Sequence, residues 1–101
     1  MTRVRFDSDT FVGDDVLLCP ACGGNNLHQD QVDVWQRPIE DGQQMHSIVG
    51  ECMTTVGIGG AGNPSNRRDG LTIQFSCEHC PADPVLAIWQ HKGNTYMEWK
   101  R

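Results

Sequence analysis

The sequence predicts a small all-β protein built on one antiparallel sheet. Residues 71–77 and 85–91 alternate apolar and polar side chains, and this period of two is typical of half-buried strands. No amphipathic pattern longer than two helical turns occurs in the 101 residues. Eleven glycines, with Asp-Gly and Gly-Asn pairs among them, supply turns between the alternating segments. Together these segments predict about five or six strands in a single domain.

The middle of the chain predicts a further hairpin and a long loop. Residues 27–36 alternate valines with polar residues, and Trp35 falls on the face opposite the valines. Residues 43–56 are rich in β-branched side chains, so we interpret them as one strand that pairs with residues 27–36. Residues 57–70 hold five glycines and have no strand or helix period. Because loops of this length are usually functional or disordered, we predict that this one is mobile.

The C-terminal segment predicts a hairpin closed by a turn at Gly93-Asn94. This turn pairs Lys92 with Thr95 and places Ile88 opposite Trp99. One face of the hairpin is then apolar and belongs to the core, with Leu86, Ile88, Met97 and Trp99. The other face carries an aromatic patch of Trp89, His91 and Tyr96.

Charge and cysteine content restrict the function classes. The net charge of −5 weighs against non-specific binding of a phosphate backbone, which requires clustered lysines and arginines, and is compatible with a protein partner. We expect no secretory signal, because aspartates interrupt residues 1–18, and no membrane span, because no apolar run is long enough. Five cysteines without an export signal favour a reducing, cytoplasmic location, where cysteines bind metals more often than they form disulfides.

Two C-x₂-C pairs provide the strongest functional signal in the chain. Cys19-Pro20-Ala21-Cys22 and Cys77-Glu78-His79-Cys80 each place two residues between their sulfurs, a spacing at which a tight turn aims both thiolates at one ion. Four thiolates around Zn²⁺ make a closed, structural site. Gly23 favours the first turn, because glycine accepts a positive φ without steric cost. Two disulfides, four unrelated buried cysteines and a site of three cysteines with His79 remain alternatives, although we expect His79 to face solvent.

The two C-x₂-C turns are called the first and second knuckle here, in chain order. Together with the strands that lead into them and the C-terminal hairpin, they resemble a zinc ribbon. The resemblance covers residues 16–26 and 71–101 and treats the middle as an insertion. It implies one structural zinc ion, held by Cys19, Cys22, Cys77 and Cys80. The second knuckle departs from the pattern, because Pro81 stands where Gly23 stands in the first and cannot take a positive φ. We therefore expect the second knuckle to turn differently.

The whole chain is interpreted as a flexible N-terminal arm, residues 1–15, and a zinc-ribbon domain, residues 16–101, with an inserted hairpin and glycine-rich loop. The insertion, with Gly62-Asn63-Pro64-Ser65 and Arg67-Arg68, also resembles small zinc-ribbon proteins of actinobacteria and their phages. That second resemblance implies no particular biochemical activity.

The same residues do not fit the catalytic motifs that use similar patterns. Zinc deaminases require a His-x-Glu element, which this sequence lacks. The glycine-rich loop does not end in the Gly-Lys-Ser/Thr that cradles phosphates. Cys52 lies beside Glu51, which disfavours its thiolate, so we interpret Cys52 as a small buried hydrophobe. We predict that the protein is not an enzyme.

Five residues are candidates for contacting a partner. Arg67 and Arg68 follow the flexible glycines and can bind a carboxylate or phosphate through their guanidinium groups, or can remain solvated with Arg68 paired to Asp69. Trp89, His91 and Tyr96 can form a stacking platform for single-stranded nucleic acid, or can cover the packed insertion. The leading hypothesis is a zinc-containing module that binds another protein. The alternative is a nucleic-acid-binding zinc ribbon that uses Arg67, Arg68 and the aromatic patch.

Overall fold

A computed structural model describes residues 3–7, 15–39 and 42–100. The predicted arm, residues 1–15, lies partly outside this range. Within it the chain forms eight strands and no helix, and therefore no helix able to cross a membrane. The strands are β1 (Phe6–Asp7), β2 (Val16–Leu17), β3 (Leu27–Gln36), β4 (Met45–Val49), β5 (Thr54–Ile58), β6 (Gly70–Cys77), β7 (Val85–His91) and β8 (Asn94–Trp99).

Six of these strands form one antiparallel sheet in the order β5-β4-β3-β6-β7-β8. The pairing of β3 with β6 joins the inserted hairpin to the C-terminal strands, and it continues from Leu27 opposite Cys77 to Trp35 opposite Gly70. β1 and β2 form a separate two-stranded ribbon. The predicted all-β fold with an antiparallel sheet is therefore confirmed.

The prediction of a single strand over residues 43–56 is wrong. The chain turns back between β4 and β5, where the Gly50 N–H donates to the Met53 carbonyl oxygen at 2.8 Å. Cys52 lies in this turn and is exposed, so its interpretation as a buried hydrophobe is also wrong. Both β4 and β5 are rich in β-branched residues, and composition alone does not distinguish two such strands from one.

The predicted register of the C-terminal hairpin is wrong by two residues. His91 lies opposite Asn94, and Ile88 lies opposite Met97 and not Trp99. The turn consists of Lys92 (φ 49°) and Gly93 (φ 80°), and two positive φ values are what a type I′ turn requires. Because side chains alternate with a period of two, a shift of two residues leaves every side chain on its predicted face. Met97, predicted to belong to the core, is nevertheless 44% exposed.

The main core lies on one face of the sheet, between β6, β7 and β8. Phe75, Leu86 and Trp99 are buried together, and the rings of Phe75 and Trp99 meet edge to face with centroids 5.8 Å apart. Val4 and Leu17, from the segment that carries the β1–β2 ribbon, pack against this cluster. Three partly buried sheet residues complete it: Leu27, Ile73 and Ile88. The N-terminal ribbon therefore covers the apolar face that the C-terminal strands present.

The glycine-rich loop lies against the opposite face of the sheet. Gly62 takes a φ of +88°, and a Cβ on it would approach the Trp35 indole to 3.2 Å, so only glycine lets the loop lie this close. Ser65, 3% exposed, donates from its hydroxyl to the Gln90 carbonyl oxygen at 2.8 Å and accepts from the Arg68 N–H at 2.9 Å. This hydrogen-bonded packing argues against the predicted mobility of the loop.

Candidate metal centre

The four cysteines of the two knuckles converge at one end of the sheet. Their sulfurs all lie within 4.8 Å of one another, with Cys19 and Cys80 3.8 Å apart and Cys22 and Cys77 3.6 Å apart. An ion held by four sulfurs at about 2.3 Å in tetrahedral geometry sets sulfur–sulfur distances of about 3.8 Å. No cysteine is in a disulfide. The arrangement fits a metal ion, and both the two-disulfide and the unrelated-cysteine alternatives fail.

The first knuckle, residues 19–24, is closed by its own backbone. The Gly23 N–H donates to the Cys19 carbonyl oxygen at 2.9 Å, and the Cys19 N–H donates to the Gly24 carbonyl oxygen at the same distance. Gly23 takes a φ of +76°, as its position after Cys22 predicts. The Gly24 N–H then points to the Cys22 sulfur at 3.4 Å and lowers the pKa of that thiol, but burial and the neighbouring Cys77 and Cys19 sulfurs raise the pKa overall.

The second knuckle, residues 77–80, follows directly from β6 and turns without a positive φ. Within the described part of the chain, no residue from 77 to 84 has one, which confirms that Pro81 requires a different turn. The His79 N–H points to the Cys77 sulfur at 3.4 Å. The Glu78 N–H donates to the Asn26 carbonyl oxygen at 3.1 Å, which joins the second knuckle to the chain leaving the first.

Two exposed polar pairs surround the sulfurs. Nε2 of His79 lies 2.7 Å from Oδ1 of Asn26, and Nε2 of His28 lies 2.7 Å from Oε1 of Glu78. Both pairs connect the segment after the first knuckle to the second knuckle. His79 is exposed, as predicted, and its Nε2 faces Asn26, so the alternative site with three cysteines and His79 is not the arrangement found.

The four thiols differ in acidity. Burial raises the pKa of the Cys19 thiol, but N–H groups of Cys22 and Ala21 and the neighbouring thiols outweigh this and lower it to about 7. The Ala82 N–H lowers the pKa of Cys80, but burial and the three neighbouring sulfurs raise it to about 12. One thiolate is thus easily formed and a fourth is not, because each added negative charge repels the next. A divalent cation removes this obstacle and displaces the remaining protons.

The aromatic patch forms on the face that carries the glycine-rich loop. The rings of Trp89 and Tyr96 stack with centroids 5.5 Å apart and planes 17° apart, and the His91 ring lies 6.3 Å from Tyr96. Tyr96 is 43% exposed and Trp89 is half-buried. Trp89 and Pro64 line a common cleft, so part of the patch also adjoins the loop.

The two candidate arginines lie in the part of the loop that adjoins the end of β7. The Gln90 N–H donates to the Asp69 carbonyl oxygen at 3.1 Å, and Ser65 bonds to the same residue, Gln90. Residues 65–69, which include Arg67 and Arg68, therefore run beside the strand that carries Trp89 and His91. The structure brings the sequence-predicted contact residues into one region of the surface.

Sequence reasoning missed a buried polar pair on the same face. Asp33 is only 8% exposed, and its Oδ2 lies 2.8 Å from Nε2 of His46, while Gln31 donates to its Oδ1 at 2.8 Å. The His46 ring stacks on Trp35 with centroids 4.4 Å apart. The pair lines a cleft of about 380 Å³, together with Ala61, Gly62, Thr72, Gln74, Val85 and Lys100. No local sequence pattern indicated this pair, because the alignment of His46 beside Asp33 and Trp35 depends on the register of β3 with β4.

Comparison of the chain with protein-family models, curated proteins and solved structures gave no match. The zinc-ribbon resemblance therefore depends on the geometry of the cysteine cluster and on the strands that carry it.

Proposed function

We propose that this chain is a non-enzymatic structural-zinc module that binds another protein. The spacing of the four sulfurs carries the first part of the proposal, because it matches a tetrahedral ion. Thiolates are soft ligands and favour zinc over magnesium or calcium. Four protein ligands leave no open position for water or substrate, which is the mark of a structural site.

The zinc ion would supply stability at the end of the sheet where the two knuckles meet. Cys19 and Cys22 precede β3, Cys77 ends β6 and Cys80 follows it, so one ion would fix the paired ends of the two central strands. A chain of 101 residues has a small core, and metal binding to such a domain contributes folding free energy directly.

The protein-binding role is supported by the surface beside β7 and β8. Trp89, His91 and Tyr96 present clustered rings, and the backbone of Arg67 and Arg68 runs along the same end of the sheet. Aromatic residues and arginines are enriched at protein interfaces. The net charge of −5 favours a protein partner over a polyanion.

A nucleic-acid-binding role is the second candidate, and the stacked Trp89–Tyr96 pair favours it. Exposed aromatic rings stack on bases, and Lys92 and Lys100 place positive charge near the pair in sequence. This role predicts that an oligonucleotide binds at about 50 mM salt and that binding falls steeply as salt rises. The protein-partner role predicts no such binding.

The zinc part is tested by comparing native and denatured masses of the purified protein. The native mass is expected to exceed the denatured mass by one zinc ion. A strong chelator is expected to remove the ion and to collapse the dispersion of the amide proton resonances, because the apo protein loses its fold. A metal-free native protein with a dispersed spectrum would contradict the proposal.

The partner part is tested with Tyr96→Ser and Arg68→Gln, with Met53→Ser as the matched control. Met53 is 70% exposed but lies in the β4–β5 turn, away from β7 and β8. A specific protein is expected to co-purify from host extract with the wild type and the control, and to be lost with Tyr96→Ser and Arg68→Gln. Equal recovery with all four proteins would argue against this surface.

A further inference from the structure

The β5 strand forms one edge of the sheet, and within residues 3–7, 15–39 and 42–100 no strand pairs with its outer side. All five of its residues, Thr54–Ile58, are exposed. None is charged and none is proline, although charges and prolines are the usual protection of an edge strand against pairing. The opposite edge, β8, carries Glu98 and is followed by Lys100.

The hydrogen-bond phase of the hairpin decides which groups of β5 point outward. The Gly50 N–H donates to the Met53 carbonyl oxygen at 2.8 Å, and the Gly59 N–H donates to the Gln44 carbonyl oxygen at 3.0 Å. Hydrogen-bonded and non-hydrogen-bonded pairs alternate in an antiparallel ladder. Thr55 and Gly57 are therefore the residues of β5 whose backbone groups bond to β4. The hydrogen bonds at both ends of the hairpin agree with this alternation.

It follows that the remaining residues of β5 direct their backbone groups away from the sheet. Thr54, Val56 and Ile58 each present an N–H and a C=O on the open edge. Their side chains share one face, where Val56 is 62% and Ile58 is 68% exposed. Two neighbours on β4 extend this apolar surface: Met45, opposite Ile58, and Val49, opposite Thr54.

We propose that β5 pairs with the β5 strand of a second copy of this chain, antiparallel about a two-fold axis at Val56. Each Val56 then lies opposite the partner's Val56, and each Thr54 lies opposite the partner's Ile58. Every pair in this register uses the outward backbone groups, which gives about six new backbone hydrogen bonds. The apolar side chains meet on one face, and the two sheets become continuous.

The self-complementarity of β5 favours a second copy as the occupant. Residues 52–66 contain no charged side chain, so strands of two acidic molecules meet here without like charges face to face. The edge likewise offers no charge that would select an acidic or a basic partner strand. An isologous contact requires a strand that is complementary to itself, and an uncharged strand centred on valine meets that requirement.

The dimer is tested by analytical ultracentrifugation of the metal-loaded protein over a range of concentrations. The wild type is expected to shift from monomer to dimer. Val56→Lys places two ammonium groups opposite each other and is expected to weaken the dimer about tenfold or more. Met97→Lys makes the same kind of change on β8, where Met97 is 44% exposed, and is expected to leave the dimer unchanged.

The register is tested by amide hydrogen exchange at low and high protein concentration. The amides of Thr54, Val56 and Ile58 are expected to become protected as the dimer forms, while those of Thr55 and Gly57 stay the same because they already bond to β4. A wild type that remains monomeric, or a dimer that persists unchanged in Val56→Lys, overturns the proposal. The partner test above uses Tyr96 and Arg68, at the opposite side of the sheet, so either proposal can fail alone.

Discussion

The two halves of the sheet are held together in different ways. The half formed by β6, β7 and β8 buries Phe75, Leu86 and Trp99 and ends in the second knuckle. The β4–β5 hairpin has no fully buried residue, and its outer strand is exposed throughout. The difference indicates that stability is concentrated in the half that carries the main core and the second knuckle, while the side chains of the outer hairpin strand are exposed.

This contrast has a thermodynamic meaning. Burying one large apolar side chain contributes about 1.5–3 kcal/mol, whereas a net backbone hydrogen bond contributes about 0.5–1.5 kcal/mol. The C-terminal half has both contributions, and the hairpin has mainly the second. The hairpin is therefore expected to open locally at a lower free energy than the rest of the sheet.

The largest expected effect separates the metal ligands from the remaining cysteine. Cys77→Ser removes one of the four sulfurs and is expected to abolish tight metal binding and cooperative thermal unfolding. Cys52→Ser changes an exposed cysteine in the β4–β5 turn and is expected to preserve both. Metal analysis and circular dichroism on heating measure the two properties. A Cys77→Ser protein that keeps its metal and its melting temperature would contradict the role of Cys77 as a stabilising metal ligand.

A smaller effect compares the two halves directly. Leu86→Ala leaves a cavity beside Trp99 and is expected to cost about 2–5 kcal/mol of unfolding free energy. Ile58→Ala, at a side chain that is 68% exposed, is expected to cost less than about 1 kcal/mol. Urea unfolding of the dilute, metal-loaded proteins measures both. Equal losses would mean that the hairpin is as strongly packed as the core.

The smallest effect tests the loop that connects the halves. Ser65→Ala removes the hydroxyl that donates to the Gln90 carbonyl oxygen and accepts from the Arg68 N–H, at an expected cost of about 1–3 kcal/mol. Ser76→Ala removes only an exposed contact to Asp30 at 3.3 Å and is the matched control, with an expected change of less than about 0.5 kcal/mol. If both variants unfold at the same urea concentration as the wild type, the loop is not fastened by Ser65.

The features that could be predicted from the sequence depend on local spacing. The two cysteine pairs could be recognised in the sequence because a two-residue interval is a property of a single turn. The faces of β7 and β8 could be assigned although the register was wrong, because Leu86 and Trp99 stay on one face under any shift of two residues.

The features that could not be predicted depend on contacts between distant segments. The burial of Ser65 requires Gln90, and the burial of Trp35 requires Gly62; neither relation is visible in a local pattern. The burial of Asp33 also depends on a distant segment. The polar residues of its face predicted exposure to solvent, but the glycine-rich loop lies against that face. The break between β4 and β5 had a signal in Gly50, but the surrounding β-branched residues favoured a continuous strand.

The distance along the chain between the two knuckles has a consequence for biosynthesis. Cys22 and Cys77 are separated by 55 positions, which a ribosome takes about 3–11 s to translate. During that interval the nascent polypeptide carries the two thiols of the first knuckle, later joined by that of Cys52, and no complete ligand set. Cys19 and Cys22 must therefore stay reduced and free of other metal ions until Cys80 has left the exit tunnel. Only then can one ion join the two central strands.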